Sequence, residues 1–475
     1  MGFSIGAMSV PKSILIFLLL VAPWGPSAYS QPLELLSVED CVEIPLKTNR
    51  QLAISEAGVR IARAHLAQAR SAYWHQISTN AIFARLDDAP VFLFPEETDT
   101  YSIGGVLPQP IVTEVTVPEK EIKLLGQNLF TGTANITLPL YLGGLRPGLM
   151  RQARAGVEVA HQNTRRTDQD ITFQIRRLYF GTVLANKLAQ IAQETLDRLS
   201  VTLELTENLY QRGSGKVKKT DYLKNKMFVE TVRGIQIRLR EKADNAQAGL
   251  TFYMGLDWET QITLSATEIP VPKMDASLNE LIGGSLRFNP DWLSLQAGLD
   301  AYDGKIQEAK SETRPRLALI GNLEYINNDY DKGVVAPQNK RSWQVGVGLE
   351  LPLFNGFRTH HKVKEMKARL SQLEHQEVLL REGLAVQTKV LFQKLVATQR
   401  HIQSAQAALD AAQENRKLTE LGYQADILET QDVVEAQIAE SVVEAQYHTV
   451  SYDHFQTRAK IEQVIGTEIE RLLNE

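Results

Sequence analysis

The chain repeats itself, and the repeat limits what it can fold into. Ile136-Thr-Leu-Pro-Leu-Tyr-Leu-Gly-Gly144 reads against Leu349-Glu-Leu-Pro-Leu-Phe-Asn-Gly-Phe357, with Pro139 and Pro352 lying 213 positions apart. Tyr210-Gln-Arg-Gly213 reads against Tyr423-Gln-Ala-Asp426 at the same offset, so the stretch between carries no net insertion. Upstream, Ala69-Arg-Ser71 reads against Ala309-Lys-Ser311 at an offset of 240, which leaves 27 extra residues in the first half, within the Pro-rich stretch from Asp87 to Phe130. Self-similarity at a fixed offset means two copies of one structural unit, neither able to bury its apolar surface alone. The first copy is expected over 31–256, a linker over 257–289 and the second copy over 290–475.

Each half reads as helix, strand, loop, strand, long helix, turn, long helix. The Ala-rich stretch from Val38 to Trp74 predicts the opening helix. Strands are expected at Gln76–Arg85, Gly132–Leu140, Arg316–Tyr325 and Trp343–Leu351. In the last, Val345, Val347, Leu349 and Leu351 alternate with Gly346, Gly348, Glu350 and Pro352, which gives one apolar and one small or polar face. The long segments carry coiled-coil spacing. Ile171, Ile175, Leu178, Thr182, Ala189, Leu196, Leu199 and Thr206 form one stripe, Leu184, Leu188, Ile191, Thr195, Thr202 and Leu205 a second beside it. Two seams on one helix imply neighbours on both sides, as in a wall of helices. A helix from Gly148 to Tyr210 would be about 95 Å long.

The ends and the composition narrow the setting. Lys12 is the only charge in the first 30 residues; an apolar run from Ile14 to Ala22 follows, then Pro23, Gly25 and Pro26, then Ala28-Tyr-Ser30. This is the layout of a secretory signal peptide over 1–30, cut before Gln31. Cys41 is the only cysteine, and Val38-Glu-Asp40 before it lacks the small apolar residues of a lipoprotein signal. A disulfide framework within the chain is excluded. With 51 basic and 56 acidic residues the net charge is −5, no footprint for nucleic acid.

Signals of catalysis are missing. Gly213-Ser-Gly-Lys216 looks like part of a phosphate loop, but Tyr210 stands where its first Gly belongs and Val217 replaces the Ser or Thr. His360 and His361 are adjacent, unlike metal ligands at i and i+4. Asn135-Ile-Thr137 is a formal glycosylation sequon inside an expected strand. No enzymatic activity, cofactor or metal is expected.

Four strands of about ten residues suit a membrane-spanning structure, but the smallest closed barrels have about eight. Open edges are forbidden in lipid, so a barrel must be shared among chains: two would give eight strands, three twelve. The residues resemble the TolC-like outer membrane efflux proteins over nearly all of the chain after residue 30. The resemblance rests on the opening helix from Ser37 to Tyr73 and on the corners Leu138-Pro-Leu-Tyr141 and Leu351-Pro-Leu-Phe-Asn-Gly356. It rests also on the hairpin tips and on the ends Met254-Gly-Leu256 and Ile465-Gly-Thr467. It implies a mixed membrane protein: a trimeric transmembrane β-barrel, four strands per protomer, continued by a long α-helical coiled-coil tunnel in the periplasm. It further implies a passive exit duct in the outer membrane, for efflux or type I secretion, docked to a periplasmic adaptor and an inner-membrane transporter.

The family's tip pattern, Tyr-x-x-Gly followed by two acidic positions lining the tunnel mouth, falls by resemblance on Tyr423, Asp432 and Glu435, with Asp426 where Gly is usual. The first tip keeps Tyr210 and Gly213 but is basic, with Arg212, Lys216, Lys218 and Lys219. At the 213 offset Lys219 is the counterpart of Asp432. The resemblance thus implies a mouth gated by Asp432, Glu435 and Lys219, and adaptor docking around Tyr210, Gly213, Tyr423 and Asp426. The bland reading is a solvated charge cluster at two turns, where exposed pairs contribute about 0–1 kcal/mol each. The alternative for the whole chain is a periplasmic coiled-coil adaptor or scaffold without a pore, which has no need of four alternating strands at repeat-related positions. Which cargo or pump is served is not encoded in these features.

Overall fold

The computed structural model describes residues 33–103, 111–213, 217–257, 260, 262–335 and 337–474. The expected signal peptide and Lys216 lie outside the described residues. In chain order the elements are β1 (Leu33–Leu36), α1 (Val38–Thr48), α2 (Arg50–Ser71), β2 (Gln76–Arg85), β3 (Val91–Phe94), β4 (Glu97–Ile103), β5 (Ile111–Val117), β6 (Lys120–Lys123), β7 (Asn128–Leu142), α3 (Leu145–Gln211) and α4 (Lys219–Tyr253). They continue with β8 (Ile262–Leu264), α5 (Leu278–Phe288), α6 (Pro290–Ser311), β9 (Arg316–Asn328), β10 (Arg341–Glu350), α7 (Arg358–Gln424), α8 (Thr430–Ile465) and α9 (Ile469–Asn474).

The repeat is physical down to the caps. Ser37 and Ser277, 240 apart, each open a helix with a capping box, closed by Asp40 and Glu280. Asn49 and Asn289, also 240 apart, cap α2 and α6, both 22 residues long. The expected continuous opening helix is therefore two helices, because the Asn49 side chain takes the Gln51 N–H at 2.7 Å and restarts the ladder. The span 257–289 holds β8 and α5, the counterpart of α1. Helices α3 and α7 are both 67 residues, offset by 213. Beyond the tips the offset falls to 211, since α4 starts at Lys219 and α8 at Thr430.

Two equivalent cores form where the long helices meet the short ones. Cys41, Leu250 and Met254 pack in one, and Leu281, Ile461 and Ile465 occupy the corresponding places in the other, all six fully buried. Cys41 acts as a small hydrophobe, and burial first, then the charges of Asp40 and Glu39, pushes its thiol up to about 12. Tyr179 ties the first core to the parallel pair β1 and β8: its hydroxyl donates to the Leu36 carbonyl at 3.0 Å and accepts the Ala266 N–H at 3.1 Å.

The four-stranded antiparallel sheet runs β10-β9-β7-β2. Its register sorts the side chains cleanly, because residues opposite one another share a face. Ile77, Ile136, Gly321 and Val345 form one row, and Thr79, Ala134, Leu323 and Trp343 the next. The other face carries Ser78, Asn135, Asn322 and Gln344 in one row and Asn80, Thr133, Glu324 and Ser342 in another. The 27 extra residues build a two-stranded antiparallel ribbon, β3 with β6 and β4 with β5, broken at Pro95 and Pro118, which have no N–H for a ladder.

Candidate functional site

The two helical hairpins end in tips of matched geometry. Gly213 closes α3 with φ +66°, and Asp426 closes α7 with φ +60°. Asp tolerates this left-handed conformation better than most residues, so the departure from Gly leaves the turn intact. Tyr210 stacks on Tyr222 with ring centroids 6.1 Å apart and 5° between planes. Tyr423 instead takes a hydrogen bond from the Thr430 hydroxyl at 3.4 Å.

Asp432 is a helix-capping residue. Its carboxylate accepts the Glu429 N–H at 2.9 Å. Asp221 does the same for the Lys218 N–H, again at 2.9 Å. The counterpart of Asp432 is therefore Asp221, and the equivalence with Lys219 is corrected: the first tip loop is two residues longer, which an offset measured before the tip does not register. Lys219 is exposed and makes no ion pair among the described residues. Asp432 and Glu435 share one exposed face of α8, while Val433, Val434, Ala436 and Gln437 turn inward.

A polar chain links the tips within the protomer. Lys224 on α4 donates to the Gln431 side-chain oxygen at 3.1 Å, and the Gln431 amide donates to Glu435 at 2.8 Å. Sequence reasoning missed Lys224 and Gln431; Gln431 stands next to Asp432 and Lys224 five residues past Lys219, but a neutral Gln gives no charge signal. It also missed the cluster two turns above. Glu440, with a side chain 6% exposed, meets Arg198 of α3 at 3.3 Å and Arg416 of α7, and Arg416 reaches Glu420 at 2.9 Å. One buried carboxylate thus joins three helices.

At the other end of the helices the corners are clamped in two ways. Arg146 donates to the carbonyls of Ala72 (2.8 Å), Leu140 (3.3 Å) and Pro139. In the second half Glu312 takes that role, accepting from Lys362 at 2.6 Å and Thr359 at 3.0 Å. His360 and His361 rings meet edge to face at 5.3 Å, and among the described residues no group of three or more ligand-type side chains could hold a metal. No helix among the described residues is long and apolar enough to cross a membrane. The apolar face of the sheet is the surface fitted to lipid, with Trp343, Val345, Val347 and Leu349 each about two-thirds or more exposed.

The sequence model of the outer membrane efflux protein family matches residues 124–256 and 281–467. Protein CyaE of Bordetella pertussis is 24% identical over 242 residues, 51% of this chain and 50% of that protein. The alkaline protease secretion protein AprF of Pseudomonas aeruginosa is 20% identical over 66% of this chain and 65% of its own length. The chain thus matches about half to two-thirds of these relatives. The crystal structure of CusC, a protein that forms a transmembrane channel, superposes with a TM-score of 0.72 over 98% of this chain and 99% of that one, at 15% identity, which establishes a common fold.

Proposed function

We propose that this chain, which belongs to the outer membrane efflux protein family, is one of three subunits of a passive duct that crosses the outer membrane and continues through the periplasm. The family is one of channel proteins, and an outer-membrane location and an efflux role follow from membership. The duct is a trimer that reaches through the periplasm, docks to a periplasmic adaptor and an inner-membrane transporter, and has no enzymatic activity of its own. The observation that carries it is the sheet: four strands with one apolar face and both edges open cannot exist alone in lipid. Three copies supply twelve strands, and their polar rows become rings of Ser, Thr, Asn, Gln and Glu around a wet lumen. The two halves, the first over 31–256 and the second opening at the Ser277 cap of α5 inside the 257–289 span and running on through 290–475, each contribute two strands and one hairpin.

The tips form the periplasmic mouth in this reading. Asp432 and Glu435 line it, Lys219 faces solvent beside it, and Tyr210, Gly213, Tyr423 and Asp426 shape the surface an adaptor docks against. The acidic ribbon lies outside the cell, and protease added to intact cells should cut between Asp87 and Gln127. AprF is named for protease secretion, so a secreted polypeptide is the second cargo class beside small molecules. The test is twofold. Native mass spectrometry of the detergent-solubilised protein should report three chains, and planar bilayers should show discrete conductance steps. A stable water-soluble monomer without conductance would return the chain to the scaffold reading.

A further inference from the structure

The apolar face of the four-stranded sheet is not evenly bulky. Its row Thr79, Ala134, Leu323, Trp343 is followed, one step farther from the helical corners, by Ala81, Gly132, Tyr325 and Arg341. In both rows the β2 and β7 positions are small and the β9 and β10 positions large. The flanking rows are bulky on β2 and β7, with Ile77 and Ile136 below and Phe83 and Phe130 above. A recess of about 760 Å³ results, with Ala81 and Gly132 in its floor and Leu323, Tyr325 and Trp343 as its wall. That volume falls in the range of about 300–1,000 Å³ usual for ligand sites. The Tyr325 ring meets Phe130 edge to face at 6.1 Å, which braces it as wall.

Arg341 stands at the upper border of the recess. It is exposed and makes no ion pair among the described residues, whereas the adjacent Lys340 is held by Asp331 at 2.9 Å. The strands enter the helices at their other end. With the sheet set in the outer membrane, Arg341 therefore lies where the apolar band gives way to lipid headgroups on the cell surface. A guanidinium there is a two-pronged donor matched to phosphate. Tyr325 and Trp343 beside it suit the same boundary, since their rings are apolar and their polar tips reach the headgroup level.

We propose that the recess holds an acyl chain of a phosphorylated lipid of the outer leaflet, of the diphosphoryl lipid A class, with its phosphate on Arg341. This rests on the duct reading above, which sets the sheet in lipid, and adds a ligand to it. A phosphate without acyl chains would find one exposed cation and nothing to fill the recess. A lipid without phosphate would fill the recess and leave Arg341 without a counter-charge. Gly132 offers a way to block the site. A Cβ there would lie 3.6 Å from the Phe130 ring and 4.0 Å from the Tyr325 carbonyl oxygen, both ordinary contacts. A larger side chain can therefore be built into the recess without displacing the backbone.

The test uses full-length protein, stripped of lipid in detergent and titrated under native mass spectrometry. The probes are diphosphoryl lipid A, the same lipid without its phosphates, and inorganic phosphate. Diphosphoryl lipid A should bind once per chain, and the dephosphorylated form about 10–100-fold more weakly, the worth of a hydrogen-bonded charge. Inorganic phosphate should neither bind nor compete. Arg341→Gln should bring the phosphorylated lipid down to the level of the dephosphorylated one, and Arg341→Lys should fall between. Gly132→Leu, or Ala81→Leu from the neighbouring strand, should weaken both lipids alike. Equal binding of the two lipids by the wild type overturns the phosphate contact without recourse to any variant. Binding unchanged in both filled variants overturns the recess, and competition by inorganic phosphate overturns a lipid as the ligand. Protein that conducts in planar bilayers but shows no lipid preference loses this site and keeps the duct. Protein that neither inserts nor conducts removes both readings.

Discussion

Gly213 and Asp426 hold the same left-handed backbone position, with φ +66° and +60°, at the ends of two 67-residue helices. A side chain there is strained by about 1–2 kcal/mol unless it is Gly, Asn or Asp. Asp426→Gly should keep the left-handed turn, with the residue 426 N–H still donating to the Tyr423 carbonyl, 3.0 Å away in the parent chain. Asp426→Val should destabilise that turn by about 1–2 kcal/mol, seen as faster exchange confined to the tip. Uniform behaviour of the two variants would mean the turn is not held in this conformation.

Asp432 both caps α8 and carries charge, and two substitutions separate the roles. Asp432→Asn keeps an acceptor for the Glu429 N–H; Asp432→Ala removes it, at a cost of about 1 kcal/mol to the helix start. If three carboxylates bind cations at the mouth, both variants should weaken block of bilayer conductance by multivalent cations. Only the Ala variant should also fray residues 429–433. Wild-type block in both would take Asp432 out of the pore.

Glu440→Ala should destabilise the helical region by about 3 kcal/mol, the lower end for breaking a buried pair, since Arg198 and Arg416 keep some solvent contact. Denaturant unfolding followed by circular dichroism measures this. A loss below about 0.5 kcal/mol would place the cluster with ordinary surface pairs.

His454 is fully buried, its Nε2–H donating to the Pro272 carbonyl at 3.2 Å and its Nδ1 beside the Thr398 hydroxyl at 3.1 Å. Burial, with the nearby Arg458 charge adding, holds its pKa below the ordinary 6.5 although the Pro272 hydrogen bond opposes the shift. Between the two values the unfolded chain binds the extra proton. The contribution to stability is therefore complete above pH 6.5, declines as the pH falls to the folded value, and is constant below it. His454→Gln should flatten this part of the stability profile, measured by thermal unfolding from pH 7.5 to 4.5.

Much of the architecture was legible because periodicity is a local signal. The alternation from Val345 to Leu351 and the stripe through Ile171, Ile175 and Leu199 each follow from which side of an element is covered. What escaped was short or interrupted. Helix α5 has only 11 residues, too few for its period to stand out. The ribbon's alternation is cut at Pro95 and Pro118. The mistaken pairing of Lys219 with Asp432 came from carrying an offset through a turn, where insertions are cheapest because no packing resists them. The pattern Lys218-x-x-Asp221 beside Glu429-x-x-Asp432 was the signal that would have corrected it. The cluster at Glu440 was not legible because its partners lie on three helices far apart in sequence.

Gly148 and Gly304 bring the backbones of α3 and α6 so close that a Cβ on either would lie 2.8–2.9 Å from the other's carbonyl oxygen. Their counterparts across the free edges are His361 and Ala64. A chain made of two copies risks confusing its own halves during biogenesis, because both halves follow one plan. The imidazole of His361 bars α7 from the place of α3 on that side of α6. The glycine pair therefore tells the two copies apart within the fold: the tight crossing forms only between α3 and α6, whose contacting positions both lack a Cβ.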